Sequence, residues 1–392
     1  MGVTPAGKGN GGGWLLVFLA AALLGACGGT DRASETRLSL AETLAGADTA
    51  GYERALAPRD FDFPTDHGPH PGFRTEWWYV TGNLTSTSGR DFGFQLTIFR
   101  SALASRMPDS GSAWATNQAY MAHFTVTDVS AERFQAYERF ARGAVDLAGA
   151  TADPLRVWLE DWTLEGTTSE PFPLRLRARE GDVALDLALE AGKPAVPQGD
   201  RGLSQKGPGP GNASYYYSHT RMPAAGTLVV GGDTLAVSGL AWLDREWSTS
   251  ALSEGQVGWD WFAIQLDDGW DLMAYRLRSA DGSTDAWSDA VVVDPLGVPT
   301  RLAWGTQIIM ESTGTWTSPI DDAVYPSGWR VTVPGHGWSL AVEPRIPDQE
   351  LDLAFRYWEG AVFVRGTGEG GAPVEGRGYV ELTGYAGEAP ER

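Results

Sequence analysis

The chain has 392 residues, among them 50 Gly, 23 Pro and 17 Trp, enough for two ordinary domains and enough turn formers for many short strands. Fifty acidic residues against 30 basic ones give a formal charge of −20, which excludes nucleic acid and makes an anionic membrane surface a poor electrostatic partner. A hydrophobic fraction of 42% is that of a folded globular protein, so the acidity belongs to a solvated surface and not to disorder.

The first segment is an address. Lys8 precedes the apolar run Trp14 to Leu24, too short to cross a bilayer stably and suited to the core of a signal peptide. The run ends in Leu24-Gly25-Ala26-Cys27, similar to a bacterial lipobox, which implies removal of residues 1–26 and acylation of Cys27. An ordinary secretory signal with an incidental cysteine is the alternative. Cys27 is the only cysteine, so no intramolecular disulfide can form, and lipidation accounts for a thiol that would be a liability in an oxidising compartment. Gly28-Gly29-Thr30 carries no aspartate, which by resemblance to other lipoproteins disfavours retention in the inner membrane of a Gram-negative cell. The expected localisation is export, with a membrane anchor through Cys27 facing the periplasm or the exterior. Residues 27–58, with a short helix expected at Ser39 to Ala45, read as a tether.

Past the tether the pattern is all-β. Alternating runs at Glu76 to Leu84, Phe92 to Phe99, Tyr120 to Val129, Val157 to Leu164, Leu174 to Ala178 and Val183 to Ala188 predict a meander of six strands. A helix is expected only at Ala131 to Ala141. Ala191 to Gly211, broken by Pro194, Pro197, Pro208 and Pro210, reads as a long surface loop of the kind that often serves as a lid. Strands resume at Ser214 to Ser218, Gly226 to Val230, Thr234 to Trp242, Trp259 to Leu266, Trp270 to Arg278 and Ala286 to Val293. Further runs at Gly328 to Val333, Leu340 to Pro344, Leu351 to Phe355, Gly360 to Arg365 and Gly376 to Leu382 complete the pattern. No fixed period recurs, which favours barrels or sandwiches over propeller blades.

Four cassettes set tryptophan beside carboxylate: Glu76-Trp77-Trp78-Tyr79, Trp242 to Trp247, Trp259-Asp260-Trp261 and Tyr357-Trp358-Glu359-Gly360. On strands, such strings place carboxyls next to large apolar rings inside a barrel or at its mouth. Period two puts Trp242, Asp244 and Glu246 on one face and Leu243, Arg245 and Trp247 on the other. Asp244 and Glu246 are therefore the first candidates for a proton donor, and Asp260, opposite the rings of Trp259 and Trp261, is the second. The alternative is an ion-paired corner of Asp244, Arg245 and Glu246 with the tryptophans as core. If Glu76, beside Trp78, joins Gln95 and His123 from neighbouring strands of one barrel, the three make a polar cluster able to orient water or a ligand headgroup. A satisfied structural network is the competing reading. Tyr216 stands either at a pocket mouth or on an edge strand.

Other machineries find no support. Asp66-His67-Gly68-Pro69-His70 offers two histidines without a third ligand, there is no Gly-x-Ser-x-Gly elbow, and Gly366 to Gly371 matches a nucleotide string but leads into a strand. No metal or other cofactor is called for.

Phe63-Pro64-x-Asp66-His67-Gly68-Pro69-His70, Glu76 to Leu84, Phe92 to Arg100, Gly239 to Trp247 and Gly376 to Tyr385 resemble the AttH-like, carotenoid 1,2-hydratase-related lipocalin-like family. The resemblance spans Arg59 to Tyr385. It implies two lipocalin-like β-barrel or sandwich domains packed together, 59–247 and 248–387, and a hydrophobic pocket. It also implies relatives that hydrate an unactivated carotenoid double bond or guide pericyclic cyclisations. Hydration of an isolated double bond needs a strong general acid, aromatic faces to shelter a cation, and a bound water; a carboxylic acid kept protonated by an apolar cage can be the acid. The expected ligand is a lipid or isoprenoid, with Trp242, Trp259 and Trp261 against it. A non-catalytic lipid carrier of the cell envelope and a structural or interaction lipoprotein are the other classes, and protein partners are not legible.

Overall fold

The computed structural model describes Met1 and residues 49–386 apart from 169–170 and 251. The signal segment, Cys27, the helix expected at Ser39 to Ala45 and most of the tether lie outside the described residues.

Two large antiparallel sheets carry nearly all the regular structure. The first begins with long strands β1 (Thr75–Ser86), β2 (Asp91–Ala102) and β3 (Gln118–Asp128), then an edge strand β4 (Arg133–Arg142). A meander follows, β5 (Ala148–Ala152), β6 (Leu155–Leu159), β7 (Trp162–Gly166), β8 (Leu174–Glu180) and β9 (Val183–Leu189). Two short strands, β10 (Val196–Pro197) and β11 (Leu203–Gln205), precede the two longest, β12 (Ala213–Val230) and β13 (Asp233–Ser248). β13 pairs back with β1, and the order β4-β3-β2-β1-β13-β12-β9-β8-β7-β6-β5 makes a nearly closed barrel.

The second sheet contains β14 (Gln256–Leu266), β15 (Asp271–Ser279), β16 (Asp289–Val293), β17 (Pro299–Leu302) and β18 (Ile309–Ser312). A separate ribbon, β19 (Thr315–Thr317) with β20 (Val324–Pro326), leads to β21 (Trp329–Val333), β22 (Trp338–Pro344), β23 (Glu350–Leu351), β24 (Tyr357–Thr367) and β25 (Pro373–Leu382). β25 closes against β14 in the order β17-β16-β15-β14-β25-β24-β22-β21-β18, a half-barrel. These are two lipocalin-like domains.

Alternation sorts every strand into two faces, and the two domains use both. Trp78, Val80, Leu96, Ile98 and Leu243 fill the first barrel, while Phe262, Ile264, Trp358, Val362 and Val380 fill the second. The opposite faces pack back to back through Tyr79, Tyr216, Trp242, Trp261, Tyr275 and Tyr379. At Gly93 a Cβ would lie 2.5 Å from that of Ala361, so the sheets approach there as closely as glycine allows. Asn83 Nδ2 donates to the Gly378 carbonyl at 3.0 Å, and Arg221 clamps Asp271 at 2.6 Å across the same junction.

Several local expectations are corrected. Ala131 to Ala141 is not a helix but the edge strand β4, because a tight turn with Glu132 at φ 49° folds it back along β3, where Phe134 and Ala136 join an apolar cluster with Tyr357. The run Val157 to Leu164 is broken into β6 and β7 by a turn with Glu160 at φ 57°. Leu351 to Phe355 is mostly irregular: only Leu351 belongs to a strand, and Phe355 makes a single bridge. Ala191 to Gly211 is no free surface loop: β10 and β11 pair with β12, and Val196, Gln198, Ser204 and Lys206 are buried. The Gly-rich string at Gly366 to Gly371 is the turn joining β24 to β25.

Candidate active site

A cavity opens between the back-to-back faces, with about 80 Å³ of room for water-sized molecules inside an empty volume of about 730 Å³ that includes open solvent. β1 contributes Trp77 and Tyr79, β13 contributes Asp244 and Glu246, and β14 contributes Trp259 and Trp261. Tyr216 and Ser214 come from β12, Tyr275 and Leu277 from β15, Glu381 from β25, and Lys206 from the segment after β11. The Asp244 and Glu246 cassette thus sets its carboxyls beside rings between the two domains, whereas the carboxyls of the Glu76 and Asp260 cassettes lie within the first and second domains.

Asp244 is 3% exposed and fully engaged. Its Oδ1 accepts from Ser218 Oγ at 2.5 Å and Trp242 Nε1 at 2.6 Å, and its Oδ2 from the Tyr216 hydroxyl at 2.5 Å; Tyr216 in turn accepts from Trp261 Nε1 at 3.2 Å. Burial pushes the Asp244 carboxyl up to about 7, against the pull of these three hydrogen bonds. When protonated, Asp244 has the second lone pair of Oδ2 left for its proton. Loss of that proton leaves a carboxylate met by three donors, so the environment holds the proton through desolvation and still receives the conjugate base well.

Glu381 accepts one hydrogen bond, from Trp259 Nε1 at 3.1 Å, and burial raises it to about 8. Glu246 faces Lys206, whose Nζ lies 3.4 Å from Oε1 and 3.9 Å from the centre of the Tyr275 ring. Carboxyls, one ammonium and indole rings therefore share one partly enclosed space, where a proton donor and an apolar ligand can meet.

Of the residues singled out from sequence, Asp244, Glu246, Tyr216, Trp259 and Trp261 line this cavity, and Trp242 supports it through Asp244. The others lie elsewhere. Glu76 and Trp78 point into the first barrel, where Glu76 is held by Arg100 and Arg245, and Arg245 stacks on Trp78 at 3.9 Å. The ion-paired corner of Asp244, Arg245 and Glu246 does not form, because alternation sends Arg245 to Glu76. Glu76 does not join Gln95 and His123 either: those two are on the other face, where His123 Nδ1 and Gln95 Nε2 meet the Tyr357 hydroxyl at 2.7 and 3.3 Å. Asp260 lies inside the second domain, bound by Arg278 at 3.1 Å and by the Tyr385 hydroxyl at 2.8 Å. His67 bonds Tyr217 at 2.6 Å and His70 bonds Asp66 at 3.0 Å while stacking on Trp247, so the two-histidine turn braces the base of β1.

Lys206, Glu381, Trp77 and Tyr79 were missed as site residues. Glu359 sits in one of the four cassettes and Glu381 in the string that carries the family resemblance, but their pairing across β24 and β25 is a matter of register that one sequence does not display.

A family model described as AttH-like matches residues 54–385. The crystal structure of an AttH from Nitrosomonas europaea is 37% identical and superposes with a TM-score of 0.73, covering 84% of this chain and all of that one. Kievitone hydratase from Nectria haematococca has a TM-score of 0.64 at 17% identity, covering 86% of this chain and 97% of its own. CghA has a TM-score of 0.51 at 14% identity, covering 87% and 97%. No curated protein matches the sequence. Two lipocalin-like domains joined back to back around an aromatic, carboxyl-bearing cavity define the class of protein. Within that class the chain belongs to the AttH-like family.

Proposed function

We propose that the chain binds an apolar small molecule, of lipid or isoprenoid type, in the interdomain cavity and adds water across one of its carbon-carbon double bonds. The observation that carries this reading is Asp244, a buried carboxyl at the cavity wall that keeps its proton up to about pH 7 and whose conjugate base has three donors waiting. In the proposed step the Asp244 O–H bond breaks and a C–H bond forms with the π pair, leaving a carbocation next to the indoles of Trp259 and Trp261. Water adds to the cation and gives its proton to the Glu246 carboxylate. That proton leaves through solvent at the mouth and Asp244 regains one, so the sum is alkene plus water to alcohol. The name of one structural neighbour, a hydratase, agrees in reaction type. The lipobox-like string ending at Cys27 supports export and anchoring of this activity in the cell envelope.

Native mass spectrometry with lipid extraction on the mature protein from a bacterial periplasm tests the reading. A co-purifying unsaturated lipid or isoprenoid supports it and supplies the molecule to assay for hydration. Protein that arrives empty and also rejects a lipophilic fluorescent probe counts against it.

A further inference from the structure

Lys206 is the one cation lining the cavity among the described residues. Its backbone is pinned on both sides, its N–H to Asn212 O at 2.9 Å and its carbonyl by Gln256 Nε2 at 2.8 Å, so the ammonium is delivered to the wall by design of the β11–β12 turn. Burying an ammonium is unfavourable unless its three N–H groups find acceptors. The contact to Glu246 at 3.4 Å is slack beside the roughly 2.8 Å of a charge-assisted hydrogen bond, and its other neighbours are two tyrosines, Tyr275 with its ring centre at 3.9 Å and Tyr216 at 5.5 Å. Beside it on the same wall, Ser214 is 1% exposed and its Oγ has no hydrogen-bond partner. Donor capacity is thus gathered at Lys206 and Ser214 in a cavity otherwise lined by aromatic rings, two leucines and carboxyls.

We propose that Lys206, with Ser214 beside it, forms an oxygen-binding end of the cavity, so that the ligand is an apolar molecule carrying a hydrogen-bond-accepting oxygen, either a carbonyl or a carboxylate. This rests on the reading that the cavity takes an apolar ligand, and it adds what orients that ligand. With the oxygen held at Lys206, the apolar part extends along Trp259 and Trp261, and which double bond meets Asp244 is set by its distance from that oxygen.

The test is displacement of a neutral fluorescent probe, N-phenyl-1-naphthylamine, by hexylbenzene, hexanophenone and 6-phenylhexanoate, which share a skeleton and differ in oxygen. In the double variant Lys206→Met/Glu246→Gln, which removes both partners of the ion pair, the ketone and the carboxylate should each weaken by about tenfold or more while hexylbenzene holds. Weakening of the carboxylate alone identifies an anionic headgroup, and weakening of both a carbonyl-type acceptor. Equal change for all three, or none, overturns the oxygen-binding end while leaving apolar binding intact. Failure of the probe and all three compounds to bind the unaltered protein removes the underlying reading as well. A measurement independent of the variant's folding is the infrared carbonyl stretch of bound, ¹³C-labelled hexanophenone: a shift to lower frequency than in hexane is expected, and an unshifted band contradicts the inference.

Discussion

Glu359 and Glu381 stand directly opposite each other on β24 and β25, both on the face that meets the first domain. Like charges in that position repel, and both groups are buried, so each keeps its proton: burial first, then the Glu381 charge, raises Glu359 well above the carboxylate range, and burial raises Glu381 to about 8. Tyr79, reaching over from β1, donates to Glu359, and Trp259 donates to Glu381. Protonated carboxyls thus stand at the junction of the domains beside the ion pair of Arg221 with Asp271.

A pH dependence of stability follows. The folded state holds protons on Asp244, Glu359 and Glu381 that the unfolded chain releases near pH 4, so this contribution is complete below about pH 4 and is lost as pH rises through about 7 and 8. Buried His67, His123 and His219 act oppositely, lowered by burial to about 3, 3 and 4 from 6.5, and their contribution is lost only as pH falls below 6.5. Between pH 6.5 and about 9 the carboxyls therefore decide, and the urea midpoint should fall as pH rises. Glu381→Gln should flatten that decline; an unchanged slope would show that Glu381 is ionised in the folded state.

Asp244→Asn removes the transferable proton while keeping the shape of the side chain. It should abolish turnover of whatever ligand is identified, with probe affinity within about threefold and a stability change of about 1–2 kcal/mol, since three hydrogen-bonded neighbours must adjust. Tyr216→Phe takes away one donor to the carboxylate and should move the alkaline limb of the rate profile, where Asp244 loses its proton, upward in pH. Retained turnover in Asp244→Asn would transfer the role to Glu381.

In the first barrel, Glu76 is fully buried between the guanidinium groups of Arg100 and Arg245, which outweigh the effect of burial and hold its carboxyl well below the usual range. Glu76→Gln leaves two buried cations short of their partner and should cost about 3–5 kcal/mol by urea unfolding, without a direct effect on the cavity. A near-neutral result would mean that His70 and the backbone carbonyls already satisfy both arginines.

How far the sequence carried can be read from β13 and from Lys206. Alternation along Trp242 to Trp247 separated Asp244 and Glu246 from Arg245, and the faces in the structure are those. Which of two faces meets a second sheet is a tertiary fact, so the alternation alone leaves the rings and carboxyls inside a barrel or at its mouth and groups Glu76 with Gln95. Lys206 lies among glycines and prolines that read as exposed turn, and only the pairing of β11 with β12 reveals that the segment folds inward. Helical spacing in Ala131 to Ala141 gave way to the open edge of β3, where backbone pairing outweighs local pattern.

For the anchor, Cys27→Ser should leave the folded domains unchanged and release them from the membrane fraction. Membrane attachment that survives in a cleaved Cys27→Ser protein would dismiss the lipobox.

Infrared difference spectroscopy between neutral and alkaline pH reads the protons of the cavity themselves, because protonated carboxyls absorb apart from carboxylates. Protonated-carboxyl bands are expected at neutral pH, one missing in Asp244→Asn and another in Glu381→Gln, with the Asp244 band displaced when a lipophilic probe fills the cavity. A spectrum without such bands at neutral pH, or bands untouched by both substitutions, would mean that the cavity holds no proton to give.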